Sequence, residues 1–299
     1  MYSLTNTQHL TKQTIEMLLR RGQFFVDREY SWKKRTTMVN LFFEPSTRTS
    51  LSFQMAAHRL GLTVLDFSIE NSSVKKGESL VDTLQTLGAM GVDIAVIRHG
   101  QDWPSLLADE SLNISLVNAG SGVIEHPTQA LLDALTMQQY FGSLQDLTVT
   151  IVGDILHSRV ARSNVHILQT MGAKLQFAGP NEYKAQELAA IPWVDFDQAV
   201  AQSDVVMMLR IQHERHQDTT RVDNYNHRFG LNLDRIKTMR DNGIILHPGP
   251  VNRNVEISDQ VMQDPRCKIL QQVNNGVAIR MAVLEWCLQG GTNEKLATA

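Results

Sequence analysis

The chain has 299 residues, a length that favours two domains over one. Hydrophobic residues make up 42% and charged residues 20%, the balance of a globular protein with buried cores rather than of a disordered chain. The net charge of −3 gives no reason to expect nucleic acid or a bulk membrane surface as partner, although a local arginine cluster for a small anion would not show in that total.

The start, Met1-Tyr2-Ser3-Leu4-Thr5-Asn6, lacks a basic stretch followed by an apolar run, so no signal peptide is expected. No stretch approaches ~18 uninterrupted apolar residues, so no membrane span is expected either. The two cysteines, Cys267 and Cys287, have no C-x-x-C neighbour. They point away from a disulfide framework or a cysteine-based metal site and toward a reducing cytoplasm.

Short apolar runs predict strands over 37–43, 63–67, 94–97, 114–117, 147–152, 174–177, 205–209 and 244–246. Helical spacing predicts helices over 49–60, 79–90, 126–141, 159–171 and 182–190, and a long last helix over roughly 268–289. Ser46 stands ahead of the first of these helices and Pro127 in the first turn of the third. Strand and helix in alternation predict an α/β protein whose parallel sheets are flanked by helices. The Gly142-Ser143 turn marks the best boundary. The expected division is 1–139 plus 277–299 as one domain and 140–276 as the other, with the C-terminal helix returning to the first.

Phe42-Phe43-Glu44-Pro45-Ser46-Thr47-Arg48-Thr49-Ser50 lies where a strand gives way to a helix. Free backbone N–H groups and the positive helix end make such a junction an anion site. Hydroxyls at 46, 47 and 49 add donors, and Arg48 adds a planar fork that suits phosphate oxygens. A capped helix with a surface arginine is the plain alternative. The polar loop Asn71-Ser72-Ser73-Val74-Lys75-Lys76-Gly77-Glu78 carries two positive charges and reads in isolation as a solvated lysine pair.

In His126-Pro127-Thr128-Gln129 the proline fixes a helix start. A histidine and a carboxamide one turn apart can polarise a carbonyl and grip an amide; a capping histidine with a solvated glutamine is the alternative. Arg98 and Arg210 end predicted strands, Gln212 follows Arg210, and Arg159 begins a helix. Ligands of open α/β sheets bind beyond the carboxyl ends of the strands. In Leu246-His247-Pro248-Gly249-Pro250, two prolines around a glycine make a rigid loop whose carbonyls can accept from an NH₂ group or serve only a structural turn. Ile151-Val152-Gly153-Asp154 lacks the glycines of a dinucleotide fingerprint, no P-loop pattern occurs, and His157 and His166 lack H-E-x-x-H spacing.

F-F-E-P-S-T-R-T, K-K-G-E, H-P-T-Q, L-R-I-Q and H-P-G-P occur in this order over about residues 1–290. In this the chain resembles the aspartate/ornithine carbamoyltransferase family. L-R-I-Q suits a second carboxylate and so an aspartate acceptor. The ornithine branch is expected to carry an acidic residue and an S-M-G loop there, and a late H-C-L-P motif where this chain has Gly249. The family's commoner S-T-R-T-R reads S-T-R-T-S here, ending in Ser50.

The resemblance implies transfer of the carbamoyl group of carbamoyl phosphate to the amine of L-aspartate, a step of pyrimidine biosynthesis. Ser46, Thr47, Arg48 and Thr49 would hold the phosphate, with Arg98 bridging phosphate and carbonyl. Thr49, Arg98 and His126 would polarise the carbonyl oxygen, while Gln129 and the carbonyls of Gly249 and Pro250 would grip the NH₂. Arg159, Arg210 and Gln212, with Lys76, would bind aspartate. Ser72 and Lys76 would come from a neighbouring subunit, which implies a homotrimer with shared sites. The resemblance brings regulatory and dihydroorotase-like chains into view as partners and implies no cofactor and no metal. A carbamoyltransferase acting on ornithine or an acylated ornithine, and a non-catalytic anion-binding protein, are the alternatives.

Overall fold

A computed structural model describes residues 2–68, 77–211 and 220–290. It divides into two units, 1–135 with 274–299 and 136–273. In the first, α1 (Lys12–Asp27), β1 (Thr37–Phe42), α2 (Thr47–Leu60), β2 (Thr63–Leu65), α3 (Leu80–Ala89), β3 (Ile94–His99), the short α4 (Trp103–Leu106) and β4 (Ser115–Ser121) follow in turn. The helix α5 (Pro127–Phe141) carries the chain into the second unit. There β5 (Thr148–Val152), α6 (Arg159–Thr170), β6 (Lys174–Ala178), α7 (Phe196–Gln202), β7 (Val205–Met208), α8 (Thr220–Phe229), α9 (Leu233–Thr238) and β8 (Ile244–Leu246) follow. The last helix, α10 (Ile269–Leu288), leads back into the first.

Among the described residues each unit has one four-stranded sheet, ordered β2-β1-β3-β4 in the first and β6-β5-β7-β8 in the second. All their strand pairs are parallel. The expected α/β class, the parallel sheets and the return of the last helix are all found. Both faces of the sheets are covered, so β7 and even the edge strands β4 and β8 are buried along their whole length. Val39, Leu41, Leu84, Ile97, Trp103 and Leu116 build the core on one side of the first sheet. Val152, Ala178, Phe196, Val206, Met208 and Ile245 do the same in the second. No helix of the described residues is long and apolar enough to cross a membrane.

Several regions differ from the sequence reading, among them the helices α4, α7, α8 and α9, which it did not contain. Residues 182–190 do not form a helix; they make two single 3₁₀ turns, Asn181–Tyr183 and Gln186–Leu188. The Tyr183 carbonyl accepts from Leu156 N at 2.9 Å, so the oxygen that a continuing helix would offer to residue 187 is already taken. The helix α1, absent from the reading, buries Ile15, Leu18, Leu19, Gly22 and Phe25 at helical spacing. Its glycine weakens the local signal, yet packing demands it: a Cβ at Gly22 would lie 2.7 Å from Ile279 Cδ1 on α10.

A buried ion pair also joins these two helices. Arg21 of α1 donates from Nε and Nη2 to the two carboxylate oxygens of Glu285 on α10, at 2.7 and 2.9 Å. The side chains are 4% and 0% exposed, and the guanidinium also stacks 4.3 Å from the Phe24 centroid. Removing one partner strands a buried charge, at a cost of about 3–5 kcal/mol. Glu285→Ala should therefore lower the urea midpoint sharply. Arg21→Met with Glu285→Leu should recover most of that loss, and chemical denaturation of the three proteins checks it.

Candidate active site

The strand order of each unit reverses direction between two central strands, β1 and β3 in the first and β5 and β7 in the second. Loops leaving the carboxyl ends of such a pair run to opposite faces and leave a crevice between them, where ligands bind. The predicted site residues that are described collect at that edge in each unit.

In the first unit, Phe42 and Arg98 are direct register partners and Phe43 N donates to Arg98 O at 2.8 Å. The segment 46–49 that follows β1 thus begins beside the end of β3. Ser46 occupies the N-cap of α2, which begins at residue 47 rather than the expected 49. Its side chain makes no capping bond, and no acidic residue sits in the first turn. The α2 N–H groups and the positive end of its dipole are therefore not answered by a carboxylate of the same turn. Thr47 and Arg48 are exposed and Thr49 is buried.

Arg98 is held within its own unit. Its Nε lies 3.6 Å from Glu44 Oε2 and its Nη1 donates to Ala119 O at 3.3 Å. Next to it, His99 stacks on Phe43 with centroids 4.8 Å apart and accepts at Nδ1 from Gln101 N at 3.0 Å. Burial lowers the His99 pKa, which suits that neutral, accepting nitrogen.

The same edge receives His126. At the end of β4, Ser121 N donates to Glu125 O at 2.9 Å, and Gly122 N donates to His99 O at 2.9 Å. The Glu125 side chain is fixed in turn by Thr7, whose hydroxyl and N–H donate to it at 2.8 and 3.2 Å. His126 follows directly and is buried, with Pro127 opening α5. Gln129 is also buried, and its Nε2 donates to Asp133 Oδ1 at 2.9 Å.

In the second unit, Val152 pairs with Met208 and Leu209 N donates to Val152 O at 2.8 Å, so Gly153 and Arg210 leave neighbouring strand ends. Gly179 lets the next strand end come close: with φ +148° it has no Cβ, which would sit 2.9 Å from Gly153 O. After Gly153, buried Asp154 accepts from His157 N at 3.1 Å and lies 3.0 Å from its ring Nδ1. Ser158 caps α6 by accepting from Ala161 N at 3.1 Å, which puts Arg159 in the first turn. Arg162 braces this loop from inside the helix through the carbonyls of Leu156 and Ser158 and the carboxylate of Glu187.

The segment after Arg210 is fastened by Glu256, which is wholly buried. Its Oε1 accepts from Ile211 N at 2.7 Å and from Asn252 Nδ2 at 2.7 Å. Asn252 Nδ2 also donates to Ile211 O at 3.1 Å. Burial raises the Glu256 pKa against the pull of these donors. Beside β7, β8 ends at Leu246, and His247 N donates to Gln272 Oε1 at 2.9 Å. His247 Nδ1 accepts from Gly249 N at 2.8 Å, which fixes the loop that presents Gly249 and Pro250.

Ser46, Thr47, Arg48, Thr49, Arg98, His126 and Gln129 thus belong to one edge of the first unit. Arg159, Arg210, Gly249 and Pro250 belong to the corresponding edge of the second. Ser72, Lys76 and Gln212 lie outside the described residues. The sequence reading missed the residues that hold these groups: Glu44, Asp133, Glu256 and Asn252. Asp133 alone left a local signal, four residues beyond Gln129 on one helix face.

Residues 3–139 match the carbamoyl-P binding domain of the aspartate/ornithine carbamoyltransferases, and residues 145–287 match the Asp/Orn binding domain. The aspartate carbamoyltransferase catalytic subunit of Listeria welshimeri is 45% identical over 293 residues, 97% of this chain and 96% of its own. That of Streptococcus sanguinis is 42% identical and covers 96% of each chain. Among solved structures, the catalytic subunit of M. jannaschii aspartate transcarbamoylase has a TM-score of 0.87 at 29% identity, over 97% of this chain and 99% of that one. The aspartate transcarbamoylase of Trypanosoma cruzi, in complex with carbamoyl aspartate and phosphate, has a TM-score of 0.85 at 29% identity, over 95% and 94%. With both halves matched in order and the likeness running nearly end to end, the chain belongs to the aspartate/ornithine carbamoyltransferase family.

Proposed function

We propose that this chain transfers the carbamoyl group of carbamoyl phosphate to the amine of L-aspartate, giving N-carbamoyl-L-aspartate and phosphate for pyrimidine biosynthesis. The observation that carries the reading is the first unit's switch-point edge, where the uncapped start of α2, Arg98 and His126 collect. Ser46, Thr47, Arg48 and Thr49 take the phosphate oxygens. Arg98 reaches phosphate and carbonyl, and Thr49 and His126 complete the donors to the carbonyl oxygen. Gln129 takes the NH₂ group, and the carbonyls of Gly249 and Pro250 are assigned to that same group. Arg159 and Arg210, with Gln212 and Lys76, take the two carboxylates of aspartate, an amino acid that two arginines fit and the cationic side chain of ornithine does not.

The amine nitrogen attacks the carbamoyl carbon, and charge builds on the carbonyl oxygen as the tetrahedral species forms. Donors already in place for that oxygen are the largest catalytic contribution. The bond to the phosphate oxygen then breaks, its electron pair leaves with the phosphate, and the phosphate takes the proton of the attacking amine. Arg48 and Arg98 meet the charge that leaves. Direct transfer needs no nucleophile from the protein.

The homotrimer is part of this proposal. Leu51 and Met55, one turn apart on α2, are 56% and 46% exposed, an apolar stripe that a second copy of the chain can cover. A neighbouring subunit would then supply Ser72 and Lys76. Regulatory or dihydroorotase-like chains would join such a trimer from outside. Unpaired Cys267 and Cys287 are in keeping with a cytoplasmic enzyme.

Incubation with carbamoyl phosphate and either aspartate or ornithine, followed by a colorimetric assay for ureido product, decides the acceptor. Product is expected with aspartate, and product with ornithine alone would sink the assignment. Arg48→Ala should lower kcat by at least about 10²–10³ with an unchanged thermal midpoint. Arg210→Ala should instead fall mainly on the KM for aspartate, with the KM for carbamoyl phosphate nearly unmoved. Light scattering should give the mass of three 33.6 kDa chains, and Met55→Glu should shift it toward one.

A further inference from the structure

Asp133 lies one turn beyond Gln129 on α5 and is wholly buried, and its Oδ1 accepts from Gln129 Nε2 at 2.9 Å. Buried Arg280 of α10 donates from Nη1 to Ser52 Oγ on α2 at 2.9 Å and lies 5.1 Å from the Phe53 centroid. Burial lowers the Arg280 pKa to about 10, and the negative charge of Asp133 opposes that shift. Arg280 thus ties α10 to the helix that opens the phosphate site.

A carboxamide has a donor end and an acceptor end, while a carboxylate only accepts. Asp133 takes the nitrogen of Gln129 at 2.9 Å and so turns the oxygen away from itself. That choice decides what Gln129 can bind. Its Oε1 needs a donor: an NH₂ group provides one, and a methyl group of similar size does not. A site built to hydrogen-bond a polar group rejects the analogue that lacks it, because its own polar atom is left unmet.

We infer that Asp133 is a positioning residue that sets the carboxamide of Gln129, so that the site takes an acyl phosphate bearing NH₂ and discriminates against one bearing CH₃. This rests on the assignment of Gln129 to the carbamoyl amino group. Asp133→Asn removes the instruction, because an asparagine can meet either end of the glutamine.

The test measures kcat/KM for carbamoyl phosphate and the competitive Ki of acetyl phosphate in the wild type, Gln129→Ala, Asp133→Asn and the two changes combined. Each single change should lower kcat/KM for carbamoyl phosphate on the order of tenfold and move the acetyl phosphate Ki by no more than about twofold. The combination should add little to Gln129→Ala. If Gln129→Ala leaves the discrimination intact, the role of Gln129 fails. If Gln129→Ala narrows it and Asp133→Asn does not, or if Asp133→Asn weakens both ligands equally, the positioning role of Asp133 fails. Where Asp133→Asn does not fold, Asp133→Asn with Arg280→Met removes the stranded buried charge, and the same two ligands decide the question on that protein.

Discussion

A parallel sheet is connected by crossovers that keep one hand, so a chain wound outward from a central strand must put successive helices on the same face. Changing the direction of winding is the one way to cover the other face. Each unit changes direction once, at its central pair of strands. The change leaves two adjacent strand ends whose chains depart to opposite sides, with unpaired backbone groups between them. Arg98 and Arg210 both stand at such an end, and the start of α2 lies at the first. The chemistry of this protein depends on that topological necessity before any side chain is chosen.

Buried charge is the second layer. A cationic site for an anionic substrate repels itself, and its side chains need holding in place without being neutralised. Arg98 meets Glu44 at 3.6 Å rather than in a tight bidentate pair. Glu256 accepts from Ile211 N and the Asn252 side chain at Oε1 and from Asn252 N at Oε2, and so shapes the segment after Arg210 through its backbone. The two carboxylates thus hold Arg98 and the segment after Arg210. Buried carboxylates carry a desolvation penalty, visible in the raised pKa of Glu256, and they repay it in position.

Much of this arrangement was legible in the sequence, because strands buried on both faces read as short apolar runs and because parallel topology sends their ends to one edge. The placement of the segment 46–49, H-P-T-Q and the arginines at 98, 159 and 210 at strand ends and helix starts follows from that logic. What escaped was set by partners distant in the chain. Residues 182–190 have helical composition, but Leu156 claims the Tyr183 carbonyl. The helix α1 contains a glycine whose reason lies at Ile279. Ser46 reads as a cap, yet its hydroxyl takes no part in capping. Glu256 is an ordinary glutamate until the fold sets it 45 residues away under Ile211. Spacing reports local contacts and says little about long-range ones.

The Arg21–Glu285 pair bears on the order in which the molecule can be assembled. A ribosome delivers α1 well before α10, so Arg21 is made 264 residues ahead of the carboxylate that matches it. The second unit is a continuous stretch, 136–273, and has every residue it needs before the first unit does. The part of the chain made first is thus the part finished last. A polypeptide released before residue 285 would carry a complete second unit and a first unit with an arginine bound for the interior and no counter-ion.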